Sequence, residues 1–459
     1  MLFIPIYLLV VIVITNRYFA GLFCRTMSRD FDARVDGYEP TVAVIVPMFN
    51  EGKGIYATVL SLLEQEYPAH KLSVVVVDDC STDDSLTWAK KAESLHPERV
   101  RVIVNPFNMG KRKGIAHAVR QVDTELVVSV DSDVVVDRRA VSELVCRFTS
   151  PRIAAVGGRV NVSNPHENWL TRMQTIKYYF GYVYLKNLER SFKSVMCLSG
   201  CLTAYRRTIL LELEPVLEDR NILGIPIKYG EDRFLTRQIV KAGYQTLCTL
   251  DARCWTVAPN TIAKYFSQQL RWRRSNFVDF LLGLGHVWRL HPCISLHYYS
   301  LFALQVVYPV MLVESLVSGA FWGLAVSHLF VLAFLGWVYW LDTRRLPEGE
   351  RVHPLWFMSL GLIMPVTYLV HNVLALWTLD SGSWETRNHN ATLLAGARAP
   401  QPALASLAGA QAPHPALASL ARARATQPAL ASLARARATQ SVYDSMSGSP
   451  SAGSVSPAE

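Results

Sequence analysis

Residues 41–52, which read TVAVIVPMFNEG, begin with a continuous apolar, β-branched run and end in a polar turn. An apolar run without polar alternation is typical of a strand buried on both faces, as in a parallel sheet. Helical spacing follows over residues 54–66, and a second apolar run covers residues 72–77. This alternation continues to about residue 275, and it predicts a doubly wound α/β domain over residues 40–275.

Acidic residues follow the predicted strands. Asp78 and Asp79 come directly after residues 72–77, and Asp131 and Asp133 come directly after an apolar run that ends at residue 130. Ligands of open parallel sheets bind beyond the carboxyl ends of the strands, so these carboxylates are placed to contact a nucleotide. Taken alone, the first pair fits a solvated turn before a helix equally well. The second pair suits Mg²⁺ or Mn²⁺, which prefer oxygen ligands and keep sites for phosphate.

The basic residues suggest anionic partners. Residues 108–114, NMGKRKG, place Lys111 between two glycines, which would let the backbone approach a phosphate or a uracil; a solvated basic helix start is the alternative. The formal charge is +9, but no nucleic-acid-binding module is recognisable. A nucleoside diphosphate and anionic lipid are therefore the expected partners, and nucleic acid is not. The eight cysteines show no zinc-binding spacing and are expected to be reduced thiols.

Long apolar segments lie on both sides of this domain. We expect an N-terminal transmembrane helix over residues 1–24, with a signal peptide as the alternative, and a transmembrane hairpin over residues 294–341. Arginines after the first segment place the domain over residues 40–275 in the cytoplasm. Residues 276–292 are expected to form an interfacial helix on the lipid bilayer, with a surface helix as the alternative. A last segment, residues 354–387, either crosses fully or is broken at Pro365.

Beyond residue 390 the composition becomes repetitive. A unit similar to PALASL recurs at Pro402, Pro415 and Pro428, with a period of thirteen residues. A proline in every unit and a Ser/Gly/Pro-rich end favour a disordered low-complexity tail over residues 391–459, with a short helical array as the alternative.

An ordered set of motifs carries a family resemblance. Asp78-Asp79, Asp131-Ser132-Asp133, residues 230–233 (GEDR) and residues 268–272 (QQLRW) resemble the processive family 2 glycosyltransferases over roughly residues 42–387. The greatest likeness is to hyaluronan synthases, followed by chitin and chitooligosaccharide synthases. The resemblance implies a GT-A (Rossmann-like) α/β fold, a divalent cation and UDP-sugar donors.

The resemblance also implies roles for the acidic and basic residues. Asp78 and Asp79 would contact the uridine, and Lys111 would lie on its base or phosphate side. Asp131 and Asp133 would hold Mg²⁺ or Mn²⁺, so that UDP leaves with its charge offset.

In the same resemblance, Asp232 would be the catalytic base that takes the proton of an acceptor hydroxyl, and the single displacement would invert the sugar to a β-linkage. Trp272 would stack on the acceptor sugar, and Arg271 would neutralise the diphosphate. The remaining implied substrate-binding residues are Ser199, Gly200, Cys201, Gln268, Gln269, Trp384 and Arg387.

These observations give a functional expectation. We expect a plasma-membrane, multi-pass, processive inverting β-glycosyltransferase that polymerises UDP-GlcNAc, with UDP-GlcA as second donor, into hyaluronan and exports the growing polysaccharide. Two other enzymes remain open: a chitin or chitooligosaccharide synthase that uses UDP-GlcNAc alone, and a non-processive transferase acting on a lipid carrier. A transporter or scaffold with a degenerate domain is the non-enzymatic alternative. Glu231 resembles the chitin-type motif, and Glu385 replaces a glycine of the family's Trp-Gly-Thr-Arg motif.

Overall fold

The computed structural model describes residues 33–218, 221–222, 224–227 and 229–379, together with Ile12 and Asn16. The rest of the expected N-terminal helix (residues 1–24), Trp384, Arg387 and the expected tail (residues 391–459) lie outside the described residues.

The described chain forms a central sheet of eight strands and a separate two-stranded ribbon. The strands are β1 (Val42–Met48), β2 (Leu72–Asp78), β3 (Val100–Val104), β4 (Leu126–Ser129), β5 (Val134–Val136), β6 (Ile153–Val162), β7 (Thr203–Arg206), β8 (Asn221–Ile222), β9 (Ile225–Pro226) and β10 (Gln245–Thr256). The order in the sheet is β3-β2-β1-β4-β7-β6-β10-β5, and β8 pairs with β9.

Strands β1 to β4 are parallel, with Val42 opposite Leu72 on one side of β1 and opposite Leu126 on the other. Strand β7 runs antiparallel between β4 and β6, so the sheet is mixed. All seven residues of β1 are buried, as its unbroken apolar sequence predicts. Alternate residues of β1 pack into two separate cores, one on each face of the sheet.

Helices pack on both faces and continue beyond the sheet. They are α1 (Gly54–Leu63), α2 (Ser85–Leu95), α3 (Lys111–Gln121), α4 (Ala140–Val145), α5 (Trp169–Tyr179), α6 (Lys186–Ser191), α7 (Arg207–Glu218), α8 (Glu231–Lys241), α9 (Ile262–Gly283), α10 (Pro292–Val317), α11 (Phe321–Thr343), α12 (Leu360–Val366) and α13 (Asn372–Trp377). π-Helical turns at Phe180–Tyr184 and Thr367–His371 join α5 to α6 and α12 to α13. Short 3₁₀ turns lie at Ala69–Lys71, Val287–Arg289, Glu348–Glu350 and Pro354–Ser359.

Three apolar helical segments follow the sheet domain. Pro292–Val317, Phe321–Thr343 and Glu348–Trp377 are each long and apolar enough to cross a membrane. The last continues as a helix through Pro365, and a π-helical turn follows it; such turns are one way in which a helix accommodates a local irregularity.

The expected interfacial helix over residues 276–292 begins inside a longer helix, and its position on a bilayer stays a prediction. Residues 276–283 are the last turns of α9, which begins at Ile262 and runs without a break through residues 268–272. No proline or glycine interrupts the helix before Gly283, so the two stretches form one rigid element. Residues 284–291, which include a short 3₁₀ turn at Val287–Arg289, separate α9 from α10.

Candidate active site

A cavity of about 430 Å³, here called the central cavity, lies beyond the end of β4 and reaches the first turns of α10. Its walls include Lys111, Asp131, Asp133, Ser199, Gly200, Cys201, Asp232, Gln268, Arg271 and Trp272, which the sequence analysis singled out. Five stretches of the chain, spread over more than 160 residues, therefore meet around one space.

Lys111, the first residue of α3, connects two of these motifs. Its Nζ lies 2.6 Å from Asp131 Oδ1 and 2.7 Å from Glu231 Oε1. Burial opposes the charge of this ammonium group, but the two carboxylates outweigh burial and raise the pKa of Lys111. Gly200 lies against the same group, since a Cβ there would come within 2.7 Å of Lys111 Nζ. The small residue at position 200 thus permits the close approach of three chain segments.

Asp131 and Asp133 are the residues that fit a divalent cation. Both line the central cavity, and Thr256 Oγ1 donates a hydrogen bond to Asp133 Oδ2 at 3.4 Å. Among the described residues, no group of three or more potential metal-binding side chains lies together. Two carboxylates with room for phosphate and water match the way proteins commonly bind Mg²⁺ and Mn²⁺ in nucleotide sites. The donor set therefore suits a cation that shares its ligands with a diphosphate.

Asp232 lies in the first turn of α8, and Gly230 precedes that helix in the left-handed conformation, with φ of +68°. Asp232 Oδ1 accepts a hydrogen bond from the backbone N–H of Arg233 at 2.8 Å. Burial, followed by the negative charge of Glu231, raises the pKa of the Asp232 carboxyl above its ordinary value. A carboxylate with a raised pKa is a better proton acceptor than an exposed aspartate.

Aromatic side chains form one wall of the central cavity. The rings of Tyr178 and Trp272 have centroids 6.2 Å apart, and those of Tyr178 and Tyr182 have centroids 5.5 Å apart. Lys177 Nζ lies 5.8 Å from the Trp272 ring centroid and donates hydrogen bonds to Gln269 and Tyr265. Flat rings beside polar groups suit a sugar, which has apolar C–H faces and a hydroxylated rim.

Three of the predicted site residues that the structure describes do not line the central cavity. Asp78 is 1% exposed and accepts a hydrogen bond from the Ser81 N–H. Asp79 is 5% exposed and accepts hydrogen bonds from Asn105 Nδ2 and from backbone N–H groups of the loop before α3. Gln269 is buried, and its Oε1 accepts from Lys177 Nζ at 2.5 Å. In the described structure, the Asp79 carboxylate holds the loop that positions Lys111.

Several cavity residues were missed by the sequence analysis. They are Glu51, Lys177, Tyr178, Tyr182, Lys186, Glu189 and His297. The tyrosine-rich run YYFGYVY at residues 178–184 was a usable signal, because aromatic clusters are common in sugar-binding walls. The charged residues carried no such signal, since their neighbours come from distant parts of the chain.

The mixed sheet, with acidic side chains beyond β4 and on α8, has the architecture of the GT-A glycosyltransferase fold. The fold is also that of a solved mannosyltransferase from Pyrobaculum calidifontis in complex with GDP-Man and Mn²⁺, with a TM-score of 0.56 and 20% sequence identity. The match covers 81% of this chain and 99% of that one. The expected fold is therefore confirmed.

The sequence comparisons identify the family. The model described as glycosyltransferase like family 2 matches residues 40–275, and the chain belongs to this family. An N-acetylglucosaminyltransferase of Sinorhizobium fredii is 32% identical over 378 residues, which cover 80% of this chain and 89% of that protein. An N-acetylglucosaminyltransferase of Rhizobium meliloti is 35% identical over 299 residues, which cover 65% of this chain and 68% of that protein. The expectation of a glycosyltransferase is confirmed.

Proposed function

We propose that this chain transfers N-acetylglucosamine from UDP-GlcNAc to a growing β-linked chitooligosaccharide, with inversion at the transferred sugar. The observation that carries the proposal is the placement of Asp232, whose carboxyl has a raised pKa, in one cavity with Asp133 and Trp272. The names of the bacterial relatives support N-acetylglucosamine as the transferred sugar. They favour the chitooligosaccharide expectation of the sequence analysis over hyaluronan, and nothing in them supports UDP-GlcA as a second donor.

The reaction follows from the chemistry of the cavity residues. Asp232 accepts the proton of the acceptor hydroxyl while its oxygen attacks C1 of the donor sugar. The new C1–O bond forms as the bond from C1 to the diphosphate oxygen breaks, and UDP leaves. Arg271 and Lys111 bind the diphosphate, where fixed cations stabilise the developing negative charge. Asp131 and Asp133 would hold Mg²⁺ or Mn²⁺, which when bound offsets the same charge.

The other predicted residues have binding roles in this proposal. Asp78 and Asp79 belong to the uridine-binding part of the site, where Asp79 fixes the loop before α3 through hydrogen bonds from its backbone N–H groups. Trp272 stacks on the acceptor sugar, and its neighbours Tyr178 and Tyr182 extend that wall. The remaining substrate-binding residues of the proposal are Ser199, Gly200, Cys201, Gln268 and Gln269 for the acceptor, and Trp384 and Arg387 for the nucleotide.

We infer further that the chain is a multi-pass protein of the plasma membrane with its catalytic domain in the cytoplasm. Three helical segments long and apolar enough to cross a bilayer support this inference. Export of the growing polysaccharide is supported by His297 and Leu301 of α10, because these residues line the central cavity at the first of those segments. The lipid bilayer is then a structural partner of the enzyme.

The proposal is tested in isolated membranes supplied with UDP-GlcNAc alone, UDP-GlcA alone or both, with measurement of UDP release and product size. UDP-GlcNAc alone should give UDP and a chitinase-sensitive product. Long polymer only with both donors would replace the proposal with hyaluronan synthesis, and a short lipid-linked product would replace it with the non-processive reading. The absence of UDP release would refute a transferase.

A matched pair of variants tests the catalytic base. Asp232→Asn should abolish UDP release while UDP binding is retained, because the amide cannot accept the proton. Asp123→Asn is the control, since the Asp123 side chain is fully exposed and lies outside the cavity. Either loss of UDP binding or full UDP release in Asp232→Asn would contradict the assignment of Asp232 as the catalytic base.

A further inference from the structure

A second group of charged residues lines the central cavity, and the reaction described above does not use it. Lys186 Nζ lies 2.7 Å from Glu189 Oε2, and His297 Nε2 lies 4.0 Å from Glu189 Oε1. All three residues line the cavity where α6 meets the first turns of α10. This group is here called the α6–α10 cluster.

The contacts within the cluster stabilise the ionised forms of Lys186 and Glu189. The Glu189 side chain is about one-tenth exposed, and its Oε2 also accepts from the backbone N–H of Met196 at 3.4 Å. Burial opposes ionisation, but the neighbouring charges outweigh it, so the pKa of Glu189 is lowered and the pKa of Lys186 is raised. The cavity wall at this point is therefore an ionised pair with no net charge, plus one imidazole.

The charge around the cluster decides which sugars fit. At the cluster, the positive charge of Lys186 is already paired with the carboxylate of Glu189. A sugar carboxylate beside Glu189 would meet a like charge and lose its hydration, and both effects are unfavourable.

A neutral amino sugar meets no such penalty. Its hydroxyl or amide N–H can donate to Glu189, and its carbonyl oxygen can accept from Lys186. These hydrogen bonds are compatible with the Lys186–Glu189 ion pair. An ammonium group has three donors and a carboxylate has about four acceptor positions, so both groups keep free positions after the pair has formed.

We propose that the α6–α10 cluster is a subsite that binds a neutral sugar of the growing chain and rejects a sugar bearing a carboxylate. The inference rests on the proposed function and makes it narrower, since it excludes alternating uronate polymers as bound products. Lys186, Glu189 and His297 act here as specificity-determining residues that contact the acceptor chain.

The test measures binding rather than turnover, so that it is independent of the transfer reaction. Titration calorimetry on the full chain in detergent compares chitotetraose with a tetrasaccharide of alternating GlcA and GlcNAc. The unmodified protein should bind the neutral chain at least about tenfold more tightly, since like charges brought together cost a tenfold factor or more. Equal binding of both, or binding of neither, would overturn the proposal.

Glu189→Gln gives the directional test. The amide removes the repelling charge and releases Lys186, so binding of the acidic tetrasaccharide should strengthen while binding of chitotetraose weakens. If Glu189 had a purely structural role, Glu189→Gln would weaken the binding of both tetrasaccharides by the same factor, and that outcome would overturn the assignment. Glu93→Gln is the matched control, because Lys90 and Glu93 form an exposed pair with the same spacing, 2.8 Å apart, away from the cavity.

A double variant covers the case in which the single change prevents folding. Lys186→Met combined with Glu189→Gln leaves no unpaired buried charge, and its preference for the neutral chain should also fall about tenfold. An unchanged preference in the folded double variant would refute the subsite. The proposed function is judged separately by UDP release from UDP-GlcNAc in the unmodified enzyme, so the two failures are distinguishable.

Discussion

Substitution of Gly230 by alanine tests how closely the catalytic helix α8 packs on α9. Gly230 has a φ of +68°, and a Cβ at this position would lie 2.0 Å from Ser275 Oγ and 2.8 Å from Ser275 Cβ. Ser275 belongs to α9, three residues after Trp272. Gly230→Ala should therefore push apart the helices that carry the base and the aromatic wall.

The structure supplies a matched control at the other end of the same helix. Gly243 follows α8 with a φ of +87°, and a Cβ there would have nothing within 4 Å. Alanine in the left-handed region costs about 1–2 kcal/mol at either site. At Gly230 the contact is also shorter than an ordinary carbon contact by roughly 1.5 Å. Such overpacking costs a further ~1–3 kcal/mol, so the expected losses are about 2–5 kcal/mol for Gly230→Ala and about 1–2 kcal/mol for Gly243→Ala.

A double-mutant cycle isolates the contact. Ser275→Gly removes Oγ and Cβ and leaves the Ser275 Cα at 3.6 Å from the added methyl group, which is an ordinary contact. The combination with Gly230→Ala should recover about 1–3 kcal/mol relative to additivity. Thermal unfolding of the detergent-purified variants measures stability, and UDP release measures whether the base has moved. Equal losses for the two glycine variants, or strict additivity with Ser275→Gly, would refute the packing argument.

Four further outcomes follow from the site. Burial and Glu231 raise the pKa of Asp232, so in a pH–rate profile the loss of kcat/KM on acidification should occur at a higher pH than for an ordinary aspartate. Glu231→Gln should move this acid limb of the profile to lower pH. Lys111→Met should raise the KM for UDP-GlcNAc at least about tenfold, because it leaves Asp131 and Glu231 facing the incoming diphosphate uncompensated; an unchanged KM would contradict the role of Lys111. Chelation should stop UDP release, Mg²⁺ or Mn²⁺ should restore it, and Asp133→Asn should raise the metal concentration needed, as measured by titration of activity. Trp272→Ala should weaken chitotetraose binding about fivefold or more while Trp272→Phe retains most of it, because the phenyl ring preserves a stacking face; equal loss in both would argue against stacking.

The fold could be predicted largely from strand sequences. The apolar runs at β1, β2 and β4 have no polar alternation, and only a strand covered on both faces places such residues in two cores. Strand β7 could not be predicted in its antiparallel position, because the direction of a strand depends on the path of the chain and not on its residues. Residues 276–283 continue α9 because a change in composition does not end a helix in the absence of a breaking residue.

The sequence predicts site residues correctly where an acidic side chain directly follows a strand. It does not predict the role of a residue that depends on contacts with a distant part of the chain. Asp131 and Asp133 line the central cavity, whereas Asp79 uses its carboxylate on the loop before α3. Both pairs follow a predicted strand, but the N–H groups that surround Asp79 come from a loop whose position the sequence does not give. Glu231 was noted as a departure from a motif, and its partner Lys111 lies 120 residues earlier in the chain.

The helix α9 explains how chemistry in the sheet domain can be coupled to the apolar helices. Trp272 lines the central cavity, while the next residue, Arg273, hydrogen-bonds Gln305 of α10 and lies 4.4 Å from the ring centroid of Tyr368. Arg274 Nε donates to Thr378 Oγ1 at 2.9 Å, just beyond α13. Successive residues of a helix point in directions about 100° apart, so three neighbours can contact three different elements. A displacement of α10 or α13 would therefore be transmitted to Trp272 through one rigid helix, and the acceptor wall and the apolar helices should move together.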